Sequence, residues 1–137
     1  MNNNLSPLQA LTAARELLSD PTKWTKRYYA QDKTLHAVDI LSEDASCFCS
    51  VGALCKVNGV STEAYNRMSG SLLPGRDILT EAANKLADGM DDLERASEIA
   101  GPVDVNDLLG HKHVLQMFDI AIEMAQSNEP VSEDHLA

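Results

Sequence analysis

The stretch His113-Val114-Leu115-Gln116-Met117-Phe118-Asp119-Ile120-Ala121-Ile122-Glu123-Met124-Ala125-Gln126 decides the fold class. Val114, Leu115, Phe118, Ala121, Ile122 and Ala125 recur at spacings that place them on one face of a helix. Asp119 and Glu123 stand one turn apart on the opposite face. Beyond Gln126 the chain turns polar and Pro130 forbids continuation, so residues 128–137 are expected to form a mobile acidic tail.

The same periodicity governs most of the preceding chain. Ser6, Pro7 and Gln9 make a capping box with proline at the first helical position, ahead of Leu8, Leu11, Ala14, Leu17 and Leu18. Pro21 ends that helix, and Ser19 or Asp20 is placed to cap a short further turn. Ser42 to Asp44 predict a helix start, followed by the apolar small-residue segment Cys47 to Val57, which Gly59 closes in a left-handed cap. Ser61-Thr62-Glu63 opens another short helix. After Pro74-Gly75, a helical face carries Ile78, Leu79, Ala82, Ala83 and Leu86. Asp91 is placed to cap a short helix bearing Leu93, Ala96 and Ile99. Only Tyr28 to Ile40 departs from this pattern, with strand-favouring tyrosines before the turn-like Gln31-Asp32-Lys33. The expected fold is mainly α: a compact multi-helix domain over residues 1–127 with a short β-hairpin around residues 28–40.

Composition narrows the function. Apolar residues form 44% of the 137, enough for a core, but one Trp, three Tyr and two Phe leave that core to Ala, Leu, Ile, Val and Met. Eleven basic against 21 acidic side chains give a net charge of −10, which argues against ordinary binding to a phosphate backbone. The same balance permits the converse, an acidic surface docking on a basic groove. Residues 88–134 hold twelve acidic side chains against Arg95 and Lys112 alone. No apolar run reaches the length of a membrane span, and Met1-Asn2-Asn3-Asn4 lacks the features of a secretory signal, so a cytoplasmic location is expected.

Chemistry-bearing residues are few. Cys47, Cys49 and Cys55 are odd in number, and their spacing to His36, His111 and His113 matches no common zinc pattern, so neither a metal nor another cofactor is expected. Cys49 stands near an expected helix start, where backbone N–H groups can lower a thiol pKa. His113 or His111 would then serve as base, and Asp107 or Asn106 as orienter. Burial in the core is the competing reading of this cysteine. Phosphate-loop, dinucleotide, nucleophile-elbow and zinc-protease signatures are absent from the sequence.

Trp24-Thr25, Cys49-x-x-Gly52-Ala53-Leu54, Asn106-Asp107 and Val114-Leu115-x-x-Phe118-Asp119-x-x-Ile122 follow one another in this order. The string resembles a domain family of unknown function found as small stand-alone proteins in bacteriophages and bacteria. Phe48-Cys49 fit the aromatic and single cysteine that precede Gly-Ala-Leu there, whereas Cys47 and Cys55 are additions. The resemblance implies a phage or mobile-element origin and no particular activity.

Three functions are therefore expected in competition. The first is a small acidic interaction protein of phage type. It would bind and inhibit a host or defence-system protein, as an anti-CRISPR protein does, by occupying a basic nucleic-acid groove with Asp88, Asp91, Asp92, Glu94 and Glu98. Its partner is that protein, with no direct nucleic acid and no membrane, and its place is the host cytosol. The second is a cysteine-dependent hydrolase or transferase using Cys49, His113 and Asp107. The third is a homo-oligomeric module that binds a nucleotide through Trp24, Lys26, Arg27 and Tyr28, which with Tyr29 form the one aromatic-basic cluster.

Overall fold

A computed structural model describes residues 5–128. The acidic tail expected at 128–137 lies outside the described residues, except that Asn128 ends the last helix. Helix α1 (Pro7–Leu18) begins where the sequence predicts. Its capping box is formed: the Gln9 N–H donates to Ser6 Oγ at 3.1 Å and the Ser6 N–H to Gln9 Oε1 at 2.9 Å. Ala10, Leu11, Ala14 and Leu18 are buried, with Leu8 and Leu17 flanking the core. Of the two caps considered for the turn at Pro21–Lys23, Asp20 serves, accepting from the Thr22 N–H.

Four helices build the core. They are α1, α2 (Ser50–Val57), α4 (Arg76–Asp88) and α7 (His111–Asn128), with α7 packed along both α1 and α4 and α2 set against α1. Val114, Phe118, Ala121 and Ala125 of α7 are buried as the periodicity requires, Leu115 and Ile122 pack at the margin, and Met117 joins the buried set. On α4 the buried residues are Leu79, Ala82, Ala83 and Ala87. The shorter α3 (Thr62–Arg67), α5 (Leu93–Ala96) and α6 (Pro102–Asp104) link these, and α6 runs into a π turn at Val105–Leu109. No helix among the described residues is long and apolar enough to cross a membrane.

One expectation for the middle of the chain needs correction. Residues 42–48 do not begin a helix: Cys47–Phe48 form strand β2, antiparallel to β1 (Ala30–Gln31), with Ala30 opposite Phe48 and Gln31 opposite Cys47. The hairpin expected at 28–40 is present in short form: Gln31 bridges Ala37 in antiparallel fashion, the Asp32 N–H donates to His36 O at 2.9 Å and the Val38 N–H to Ala30 O at 3.1 Å, around a turn in which Asp32 Oδ1 accepts from the Thr34 and His36 N–H groups. Cross-strand pairing, with Ser46 N–H donating to Gln31 O at 2.8 Å, takes the backbone groups of 46–48 that a helix would have used.

Helix α2 consequently starts at Ser50, with Cys49 extended as its N-cap. Every residue from Ser50 to Cys55 is buried, and the backbone leading into β1 lies so close that a Cβ on Gly52 would stand 1.9 Å from the Tyr29 carbonyl oxygen. The small residues of this segment therefore allow a strand to lie directly on a helix. Gly59 ends α2 with φ of 71°, the left-handed conformation expected of it. Helix α5 differs from expectation as well: Asp92 caps it rather than Asp91, and Leu93 faces solvent at 78% exposure while Ile99 is buried.

Candidate functional site

The π turn at Val105–Leu109 places Asn106 inside the molecule, with the side chain of a residue that is 1% exposed. Asn106 Oδ1 accepts from the Trp24 Nε1–H at 2.8 Å, the Ser50 N–H at 3.0 Å and the Ser50 hydroxyl at 2.9 Å. Its Nδ2 donates to Thr25 O at 3.1 Å and to Asp107 Oδ1 at 3.0 Å. The side chain is thereby saturated in both directions. Asp107 Oδ1 also accepts from the Arg27 N–H at 2.9 Å, holding Arg27 in a left-handed conformation with φ of 77°. Such a backbone is costly for a side chain other than glycine and persists only where its surroundings fix it. Three landmarks separated in sequence, Trp24-Thr25, the start of α2 and Asn106-Asp107, thus meet at one polar node.

A half-open cavity of about 430 Å³ adjoins this node. Ala30, Val38, Val51, Val103 and Tyr29 supply apolar lining, while Arg27, Tyr28, Thr62, Cys49 and Asp107 supply polar groups. The volume falls within the range of small-molecule sites. Sequence reasoning named Arg27, Tyr28, Tyr29, Cys49, Asn106 and Asp107, but not Ser50, Val38, Thr62 or Val103 as parts of a site. The nearest signal was the adjacency of Ser50 to Cys49.

The geometry opposes an activated thiol. Cys49 is buried, its Sγ accepts from the Gly52 N–H at 3.3 Å, and burial is the main cause pushing its pKa up to about 11. Those N–H contacts act in the lowering direction but do not overcome burial, and the Asp107 carboxylate raises the value further. The thiol is therefore neutral near pH 7, the reverse of what nucleophilic catalysis requires. Asp107 lies beside Cys49 at the cavity, whereas His113 and His111 are not among its lining residues. His113 Nδ1 is buried without a hydrogen-bond partner, and His111 Nε2–H donates to Leu18 O at 2.7 Å. All three cysteines are buried and free. Among the described residues no cluster of three or more His, Cys, Asp or Glu could hold a metal ion.

The aromatic-basic cluster is divided. Trp24 turns inward, its N–H engaged by Asn106 and its ring 5.5 Å from that of His111. Lys26 is exposed and does not line the cavity, whereas Arg27, Tyr28 and Tyr29 do.

Asp88, Asp91, Asp92, Glu94 and Glu98 occupy the end of α4 and the region of α5, and all five are exposed. Among the described residues the ion pairs are Arg15–Asp119, His36–Asp32 and Arg67–Glu63, so none of these five is neutralised in that way. Arg95, the one base in their midst, directs its guanidinium to the Leu108 carbonyl. Exposed Leu93 lies within the same segment.

No curated protein and no solved structure matches the chain. The model of a family of unknown function, DUF6197, matches residues 2–124, and with nearly its whole length covered the chain belongs to that family.

Proposed function

We propose that this chain is a binding protein without chemistry, whose acidic edge around α5 docks on a basic protein surface. The observation that carries the reading is that Asp88, Asp91, Asp92, Glu94 and Glu98 are exposed and enter no ion pair among the described residues. Unneutralised carboxylates of one sign raise the rate of encounter with a basic partner. Leu93, exposed among them, supplies an apolar contact of the sort found at the centre of an interface. The partner is a nucleic-acid-binding protein of a host or its defence system, inhibited because the acidic edge occupies its groove. A phage-encoded origin and action in the host cytosol belong to the same proposal.

Affinity capture with the intact chain, followed by titration of the captured partner, tests this reading. Changing Asp91 and Asp92 to Asn and Glu94 and Glu98 to Gln keeps the α5 cap, because asparagine caps as well as aspartate. The variant should bind about tenfold or more weakly, and its affinity should respond less to salt. Undiminished binding of the same partner refutes the docking surface.

A second reading, a small-ligand module, is favoured by the cavity beside Asp107. Its homo-oligomeric form and its nucleotide ligand remain part of that proposal. Cysteine-dependent catalysis receives no such support, since Cys49 is buried and its thiol is held neutral.

A further inference from the structure

We propose that the cavity beside Asp107 binds a mononucleotide whose base carries an exocyclic amino group, with the amino group on Asp107 and the phosphate on Arg27. This rests on the small-ligand reading and names its ligand class.

The assignment follows from which polar groups at the cavity are already engaged. Asn106 uses both ends of its amide, and the Ser50 hydroxyl donates to it. Thr62 Oγ1 accepts from the Ile40 N–H, and Cys49 Sγ from the Gly52 N–H. Asp107 differs: both of its hydrogen bonds fall on Oδ1, leaving Oδ2 without a partner among the described residues. The Arg27 guanidinium and the Tyr28 hydroxyl likewise have none.

Arg27 and Asp107 touch through the Arg27 backbone N–H, yet their side chains do not form an ion pair. One anionic acceptor and one cationic donor thus belong, unpaired with each other, to residues lining the same cavity. The same cavity is lined by the apolar Val38, Val51 and Val103 and by Tyr28, which is 49% exposed. A ligand matching this set needs an N–H donor, an anionic group and a flat body able to stack on a phenol ring. An aminated base with a single phosphate meets all three. A polynucleotide fits less well, since a net charge of −10 repels a long phosphate chain far more than one phosphate.

The test exploits the unequal use of the two Asp107 oxygens. Asp107→Asn can keep an oxygen at the Oδ1 position, for the Arg27 and Asn106 donors, while turning Oδ2 from an acceptor into a donor. Calorimetry on the full chain should show AMP and CMP binding, with UMP about tenfold weaker because its O4 acceptor would face the Asp107 carboxylate where cytosine places its amino donor. In Asp107→Asn the order of CMP and UMP should invert, because uracil carries an accepting O4 where cytosine carries its donating amino group, and that acceptor can take the new amide N–H. Arg27→Gln should make AMP and adenosine equal. Methyl spectra of Val38, Val51 and Val103, recorded with the same nucleotides and with a general fragment mixture, separate the two levels of the claim. Shifts with non-nucleotide fragments alone overturn the nucleotide assignment and preserve the small-ligand reading. The absence of shifts with every compound overturns both. Nucleotide binding unchanged by either substitution overturns the assigned roles of Asp107 and Arg27.

Discussion

Removal of the Asn106 side chain should be among the most damaging single changes in this protein. Asn106→Ala leaves the buried Ser50 N–H, the Trp24 indole N–H and the Thr25 carbonyl without the partners they have now. The Ser50 hydroxyl can rotate away, and Asp107 retains the Arg27 N–H. An unsatisfied buried group costs about 1–3 kcal/mol. Three such groups, relieved in part by water entering from the half-open cavity, suggest a loss of about 4 kcal/mol. At about 2.1 cal/mol/K per residue, unfolding of the 137 residues carries ~0.29 kcal/mol/K, so the melting temperature should fall by roughly 14 °C. Thermal unfolding followed by circular dichroism at 222 nm measures this. Trp24→Phe, which removes the indole donor together with part of the ring's bulk, adds a check on mechanism through its coupling to Asn106. It should cost less in the Asn106→Ala background than in the native protein, with a coupling of about 1 kcal/mol. A fall of less than about 5 °C for Asn106→Ala, or strict additivity of the two changes, would refute the account of the node.

Gly52→Ala forces a methyl group to within 1.9 Å of the Tyr29 carbonyl oxygen, which β1 can relieve only by shifting away from α2. A loss of about 3 kcal/mol or more in chemical denaturation is expected, and a near-native midpoint would show that the strand does not lie where described. Native protein treated with iodoacetamide at pH 7.5 should show little modification of Cys49 or Cys55, because burial raises both thiol pKa values. Rapid labelling before unfolding would contradict this. With the Cys49 pKa raised in the folded state, its contribution to stability is complete below its unfolded value of about 8.5 and is lost as pH rises towards about 11. Cys49→Ala should accordingly flatten the alkaline limb of the stability profile. The Asp39 carboxyl is lowered, first by the Leu41 N–H and then by that of Thr62. Its contribution is therefore present above about pH 4 and lost in more acidic solution, so Asp39→Asn should show a shallower acid limb.

The parts of the fold that could be read in the sequence are those fixed by near neighbours. The α1 capping box, the Gly59 left-handed cap and the α7 stripe each depend on residues within a few positions of one another. Strand β2 could not be recognised in this way, because Cys47 and Phe48 are equally acceptable in a helix. What makes them a strand is their ladder with Ala30 and Gln31, sixteen or more residues earlier. Leu93 misled for the opposite reason: α5 spans only Leu93–Ala96, too short for a periodic stripe to imply a buried face. At the site, the landmark residues were visible but their connections were not. Asn106 is separated by 56 residues from Ser50 and by 82 from Trp24, and nothing local to any of them specifies the others as partners.

Trp24 is the sole tryptophan of the chain, and its indole is held on one edge by Asn106 and approached by the His111 ring. Refolding monitored by emission from that one fluorophore would therefore time a specific event: the arrival of residues 106–111 against a segment synthesised more than eighty positions earlier. A ribosome-bound fragment ending near residue 100 would have its tryptophan but neither of these neighbours, so its emission should remain that of an unclosed molecule until the final quarter of the polypeptide emerges.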